Sequence, residues 1–173
     1  MMMVDKRISL RAFERDDVRE LHRWMNDPES LRLVGRAPVT YEEALRHYEK
    51  KKQSGDLVLA IVGEGKPLVG WIFLKDIEHE HGRAGIGILL APESRGSGYG
   101  RLAMEQMIDL GFRQLRLHKI YLTTRSINER AIQLYTRLGF VTEGRLRQHA
   151  YVDGAYSDTL FMGLLSEEWH HKD

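Results

Sequence analysis

A run of aliphatic and small residues over 83–91 stops at Pro92, and three alternating glycines, Gly96, Gly98 and Gly100, follow at once. Beyond them Met104, Met107, Ile108, Gly111, Phe112 and Leu115 recur at helical spacing to about residue 117. Strand, glycine turn and amphipathic helix in that order call for a domain that packs helices on a sheet. The first N–H groups of such a helix lack internal partners and sit at the positive end of its dipole. Glycine lets the backbone approach an anion closely there, so a phosphate or pyrophosphate fits, and Arg95 adds a positive charge beside it.

The rest of the chain reads as short elements. Residues 7–13 alternate apolar and polar as an edge strand, and 16–25 form a helix that ends near Asp27-Pro28. Thr40 followed by Glu43 is a capping-box pattern opening a second helix to about residue 52. Strands over 57–62 and 68–75 flank a glycine-bearing hairpin loop. After the glycine turn and its helix come a β-rich run over 119–125 and a short helix over 128–138 closed by Gly139. Strands over 146–152 and 156–164 flank Asp153-Gly154, a favoured tight-turn pair. The expected order is βααβββαβαββ, a mixed α/β (α+β) fold in one domain spanning 1–173.

The 173 residues carry 26 Lys+Arg and 25 Asp+Glu, so the formal net charge is +1, and nothing electrostatic recommends nucleic acid or an anionic membrane as partner. The sequence has no cysteine, which removes disulfides, thiolate metal sites and a Cys nucleophile together. No apolar run is long enough to span a bilayer, and the start, Met1 to Lys6, lacks the apolar core of a secretory signal, so a cytoplasmic protein is expected.

Three readings of the glycine turn compete. A dinucleotide-binding turn wants glycine where Arg101 stands and an acidic end to the next strand, which instead ends Thr123-Thr124-Arg125. A Walker loop wants a G-K-[ST] that is absent. A turn without ligand, glycine serving sterics alone, stays open. Asn128 and Tyr135, seven residues apart, share a helix face with Ala131 between them. An N-cap asparagine and a half-buried core-margin tyrosine would explain the same pair.

Together, Arg95-Gly96-Ser97-Gly98-Tyr99-Gly100, of the form [QR]-x-x-G-x-[GA], and the later N-x-x-A-x-x-L-Y-x-x-x-G-F from Asn128 to Phe140 resemble the GNAT acyl-CoA N-acetyltransferase family. The resemblance is strongest to the branch holding the ribosomal-protein N-terminal acetyltransferases and spermidine N-acetyltransferase. Segments such as Leu117-His118-Lys119-Ile120-Tyr121-Leu122 and Asp153-Gly154-Ala155-Tyr156 are similar to the spermidine enzyme. The resemblance implies a central, mostly antiparallel sheet flanked by helices, with acetyl-CoA as cosubstrate and no metal. It implies that Arg95, Gly96, Ser97, Gly98, Tyr99, Gly100 and Arg101 hold the pyrophosphate. Ile88, Leu89 and Leu90 would run beside the pantetheine arm, Asn128 and Ala131 would contact it, and Tyr135 would sit near the thioester sulfur as the catalytic acid.

A Lys-like amine is neutral in only about one molecule in two thousand at pH 7, so the site must favour loss of a proton. Many relatives carry a glutamate where this chain has Gly85, which leaves the base unassigned. Glu78, His79, Glu80 and His81 lie just upstream; they read as a solvated loop or, less readily, as a metal cluster, and His170-His171 reads as exposed tail. The acceptor, a small-molecule amine such as a polyamine or a protein N-terminus, is expected between the helices of 16–52 and the last hairpin. Asp27, Glu29, Glu42, Glu43 and Asp158 are candidates to attract its charge. Amino sugars and aminoglycosides are alternatives, as is a CoA-binding protein without catalysis. The family resemblance also admits a homo-oligomer joined at sheet edges.

Overall fold

The computed structural model describes residues 7–34 and 36–170, so the start of the chain and His171 lie outside it. In order the elements are β1 (Ile8–Ala12), α1 (Val18–Met25), α2 (Pro28–Val34), α3 (Tyr41–Gln53), β2 (Leu57–Gly63), β3 (Lys66–Glu78), β4 (Arg83–Leu90), α4 (Tyr99–Asp109), β5 (Lys119–Arg125), α5 (Glu129–Arg137), β6 (Val141–Val152) and β7 (Ala155–Leu165). The seven strands form one sheet in the order β1-β2-β3-β4-β5-β7-β6. Every neighbouring pair is antiparallel except β4 and β5.

The sheet is covered on both faces. On one, Met104, Met107 and Ile108 of α4 pack in the same core as Ile72, Leu74, Ile86, Ile120 and Leu164. On the other, Leu21 and Trp24 of α1 and Ala44 and Tyr48 of α3 pack with Ala60 and Trp71, while the Tyr48 hydroxyl donates to the Phe13 carbonyl at 2.9 Å. Alternation along β4 divides its side chains between these cores: Ala84, Ile86, Ile88 and Leu90 face α4, and Leu89 faces α1 and α3.

Two expectations are corrected. Three helices, not two, precede β2, because the Asp27-Pro28 pair that ends α1 also starts α2. Proline at the first helical position forgoes only an N–H that has no partner there. The Asp27 carboxylate accepts from the Ser30 N–H at 3.0 Å and the Ser30 hydroxyl at 3.1 Å, as an N-cap does. Secondly, β6 begins at Val141, five residues ahead of the expected start, because its outer side is largely exposed and offers little apolar alternation. The Thr40–Glu43 capping box is present as expected: Thr40 Oγ1 accepts from the Glu43 N–H at 3.2 Å, and the Glu43 carboxylate accepts from the Thr40 N–H at 2.6 Å. The helix after the glycine turn ends in a π turn over Leu110–Gln114.

Candidate active site

The site lies where the parallel pair comes apart. Pairing between β4 and β5 covers only Arg83 to Gly85 against Lys119 to Tyr121, yet β4 runs on to Leu90 and β5 to Arg125. Beyond Gly85 the strands part and leave a wedge whose β4 wall is Ile86–Leu90. Because the two strands are parallel, α4, which follows β4, and α5, which follows β5, both start at the same end of the sheet. The two helices meet there: a Cβ added at Gly100 would lie 3.2 Å from Leu90 and 3.8 Å from Leu134.

The glycine turn has the backbone an anion site requires. Gly96 and Gly98 adopt φ of +77° and +87°, the left-handed region that other residues enter at a cost. A Cβ at either would meet no protein atom within 4 Å, so their outer face is open. Gly98 is the N-cap of α4 and has no side chain to satisfy the helix start, so the N–H groups of Tyr99, Gly100 and Arg101 open onto the turn. The Ser97 hydroxyl donates to the Ser94 carbonyl at 2.5 Å and steadies the loop. Tyr99 packs against the α4-side core. The Arg101 guanidinium pairs with Glu105 one turn along at 3.2 Å.

Arg95 does something different from what its place in the motif suggests. Its guanidinium turns to α2, donating to Asp27 at 2.9 Å, Glu29 at 2.6 Å and the Ser30 hydroxyl at 2.7 Å. It therefore ties the turn to the start of α2. Burial pushes the Asp27 carboxyl up, but the Ser30 N–H, Arg95 and the Ser30 hydroxyl outweigh it and hold the group below the usual carboxylate range. Replacing Arg95 with Ala is expected to cost about 1–3 kcal/mol, the worth of a charged hydrogen bond. The stability Asp27 contributes is present above the unfolded carboxylate pKa near 3.9 and is lost as pH falls through its lowered folded value. The variant's thermal stability should accordingly fall less steeply on acidification than the parent's; parallel stability curves between pH 5 and 2 would count against this linkage.

Asn128 serves as the N-cap of α5: its side-chain oxygen accepts from the Ala131 N–H at 3.2 Å. That satisfies the structural reading of the residue, and it leaves the side-chain NH₂ with no partner among the described residues. One helix face on, Tyr135 packs against the α4-side core with its ring centroid 6.0 Å from that of Phe140. Its hydroxyl has no hydrogen-bond partner among the described residues, and burial pushes it up to about 12. It stays protonated across the neutral range.

At Gly85 the space a side chain would take is already filled. A Cβ there would lie 3.1 Å from the Lys75 stem and 3.3 Å from the Tyr121 ring. Upstream, His79, Glu80 and His81 are exposed, and Glu78 pairs with Arg83 at 3.0 Å. Among the described residues no group of three or more His, Cys, Asp or Glu could hold a metal ion. His170 is exposed.

A cavity of about 180 Å³ lies on the opposite side of β4 from α4. Its walls are Met25, Leu31, Val34, Trp71, Phe73 and Leu89, with Ser30, Arg36, His47 and Ile88 completing them. Its lining comes from α1, α2, α3, β3 and β4 together with Arg36, and the last hairpin supplies none of it; a separate hollow on that hairpin is lined by Arg145, Leu146, Arg147, Gln148, His149 and Asp158. Sequence reading passed over this cavity because strands and helices far apart in the chain build it. The one local signal was the Gly85-x-Gly87 pattern inside a strand. A Cβ at Gly87 would stand 2.3 Å from the tip of the Phe73 ring, so any side chain there would have to displace that ring.

The acidic residues proposed to attract an acceptor are mostly engaged elsewhere. Asp27 and Glu29 bind Arg95, Glu43 caps its own helix, and Asp158 holds Arg145 and the Gln148 N–H.

The family model of the acetyltransferase (GNAT) domain matches residues 7–141 of this chain. A spermidine N(1)-acetyltransferase of Vibrio cholerae is 30% identical over 168 residues, covering 96% of this chain and 97% of that protein. The spermidine N(1)-acetyltransferase of Escherichia coli K12 is 30% identical over 163 residues, 94% of this chain and 88% of that protein. A crystal structure of the V. cholerae spermidine N-acetyltransferase in complex with CoA and spermine superposes with a TM-score of 0.87 at 31% identity, covering 95% and 98% of the two chains. A seven-stranded sheet opened between its parallel strands, with helices on both faces, is the GNAT architecture, and this chain belongs to the GNAT acetyltransferase family. It is an N-acetyltransferase, and its cosubstrate is acetyl-CoA.

Proposed function

We propose that this domain moves the acetyl group of acetyl-CoA to a primary amine by direct attack, with both substrates bound at once. What carries the reading is one arrangement: an uncapped, glycine-lined helix start and a half-buried phenol of raised pKa, borne by the two helices that begin at the open end of the β4–β5 wedge. The N–H groups of residues 96–101 suit the pyrophosphate, since nothing beyond a hydrogen stands at Gly96 or Gly98 to keep it off. The wall Ile88–Leu90 and the spare NH₂ of Asn128 suit the pantetheine arm. Acetyl-CoA supplies an activated acyl group and a thiolate leaving group.

The chain's own part is to orient and to handle protons. As the amine nitrogen bonds to the acetyl carbon, the carbon–sulfur bond breaks and the thiolate takes a proton from Tyr135. The tyrosine recovers that proton from solvent, and the amine gives up its own to water. A phenol pushed up to about 12 keeps its proton at neutral pH and so is always present as the donor. Handing that proton to a thiolate of pKa about 8.5 is uphill by about 3.5 units, and the step is drawn forward by collapse to the stable amide and by prompt return of a proton to Tyr135 from solvent.

The relatives' names make spermidine the first acceptor to try, beside a protein N-terminus, amino sugars and aminoglycosides. The test is release of free thiol from acetyl-CoA with a panel of these amines. Acetyl transfer should appear only when amine and acetyl-CoA are together. A stable acetylated protein after mixing with acetyl-CoA alone would overturn the direct route, and thermal stabilisation by CoA without turnover on any amine would leave a binding protein only.

The exposed apolar residues Leu146, Tyr151, Tyr156 and Phe161 on β6 and β7 support a homo-oligomer joined at that edge of the sheet, in keeping with the dodecameric structure of the V. cholerae spermidine enzyme. Among the described residues no helix is long and apolar enough to cross a membrane, and a cytoplasmic setting suits a consumer of acetyl-CoA.

A further inference from the structure

The cavity on the α1–α3 side of β4 shares Ile88 and Leu89 with the wall of the wedge, so a group inside it lies against the strand along which the acetyl group would arrive. Its chemistry is one-sided. Trp71, Phe73 and aliphatic side chains make most of the surface, and no Asp or Glu lines it. Arg36 stands at the exposed rim, and its guanidinium has no carboxylate partner among the described residues. Lys51, paired with Asp56 at 3.2 Å, puts its ammonium 3.6 Å from the centre of the Phe73 ring.

The charge balance is legible at His47, which lines the cavity with its ring 5.6 Å from that of Trp71. Burial lowers this imidazole, Lys51, Arg36 and Lys50 lower it further, Asp56 alone opposes them, and it ends at about 4. His47 is therefore neutral at pH 7, and the surrounding field is positive. A polyamine would bring several ammonium groups into walls that hold no counter-charge, an expensive burial. One compact apolar group fits, since about 180 Å³ corresponds to roughly six waters of liquid volume.

We propose that this cavity is the acceptor site and that it takes a primary amine bearing a carboxylate on a compact apolar body, an apolar amino acid, with Arg36 holding the carboxylate. The inference rests on the acetyl-transfer reading and narrows its acceptor away from polyamines. Apolar walls also favour the neutral form of the amine, which lessens the need for a carboxylate base at Gly85.

Matched pairs test it: leucine against isopentylamine and phenylalanine against phenethylamine, with spermidine as a fifth acceptor, each followed by thiol release at one pH and corrected for its neutral-amine fraction. The amino acids should show kcat/KM about ten- to a hundredfold above their decarboxylated partners and above spermidine, as one charged hydrogen-bonded contact provides. Arg36→Gln should bring that ratio close to one while leaving the KM for acetyl-CoA in place. Spermidine or the bare amines used as well as the amino acids, a ratio untouched by Arg36→Gln, or acetyl-CoA bound with no amino acid acetylated would each overturn the proposal. Failure to bind acetyl-CoA at all would instead remove the acetyl-transfer reading on which it stands.

Discussion

Tyr135→Phe is expected to lower kcat by about a hundredfold or more while the KM for acetyl-CoA stays nearly constant, the pattern of a lost proton donor. The substitution removes one hydroxyl that has no partner among the described residues, so the ring keeps its packing on Phe140 and the fold should be undisturbed. The pH dependence gives a second readout. Burial raises the folded-state value to about 12, against about 10 in the unfolded chain. The neutral phenol's favourable burial therefore contributes fully below pH 10 and is lost as pH rises from 10 towards 12. Tyr135 should impose no alkaline loss of kcat below about pH 10, so an alkaline limb at lower pH belongs to another group. A Phe variant with the parent's kcat would take Tyr135 out of the acid role.

The second large effect is expected at Gly98. Gly98→Val asks a β-branched residue to hold φ of +87°, which costs about 1–2 kcal/mol of stability, and it puts methyl groups over the open face of the helix start. Loss of even one charge-assisted N–H contact to a phosphate weakens binding about tenfold or more. Gly154→Val is the matched control. It sits at φ of +80° in the β6–β7 turn, with no protein atom within 4 Å of its would-be Cβ, so the backbone strain is alike. Both variants should lose similar thermal stability, and only Gly98→Val should lose affinity for CoA in a direct titration. Equal CoA affinity in the two would show that the turn is merely steric.

Elements with local causes were readable in advance. The Thr40–Glu43 box, the Asp153-Gly154 turn and the strand that stops at Pro92 depend on neighbours within a few residues, and each is where its residue pattern puts it. The second helix was hidden because Asp27-Pro28 satisfies the rules for ending one helix and for starting another, and packing of Ser30 and Arg95 decides in favour of both. Arg95 is the sharper lesson. A motif places its positive charge beside the glycines, but side-chain direction is set by whatever carboxylates come near in space, and those lie 66 and 68 residues back in the chain.

From composition and motif alone came a cysteine-free α/β chain with a glycine turn at a helix start and a phenol seven residues past an amide. Those are properties of short stretches, whose backbone conformation is fixed by glycine, proline and capping side chains close at hand. Tertiary structure alone decided that β4 and β5 part beyond Gly85, that Tyr135 is half-buried with its pKa raised, and that Arg36 and His47 overlook an apolar cavity without a carboxylate. Each of these depends on desolvation and charge summed over groups distant in sequence, and that sum exists only once the chain has folded.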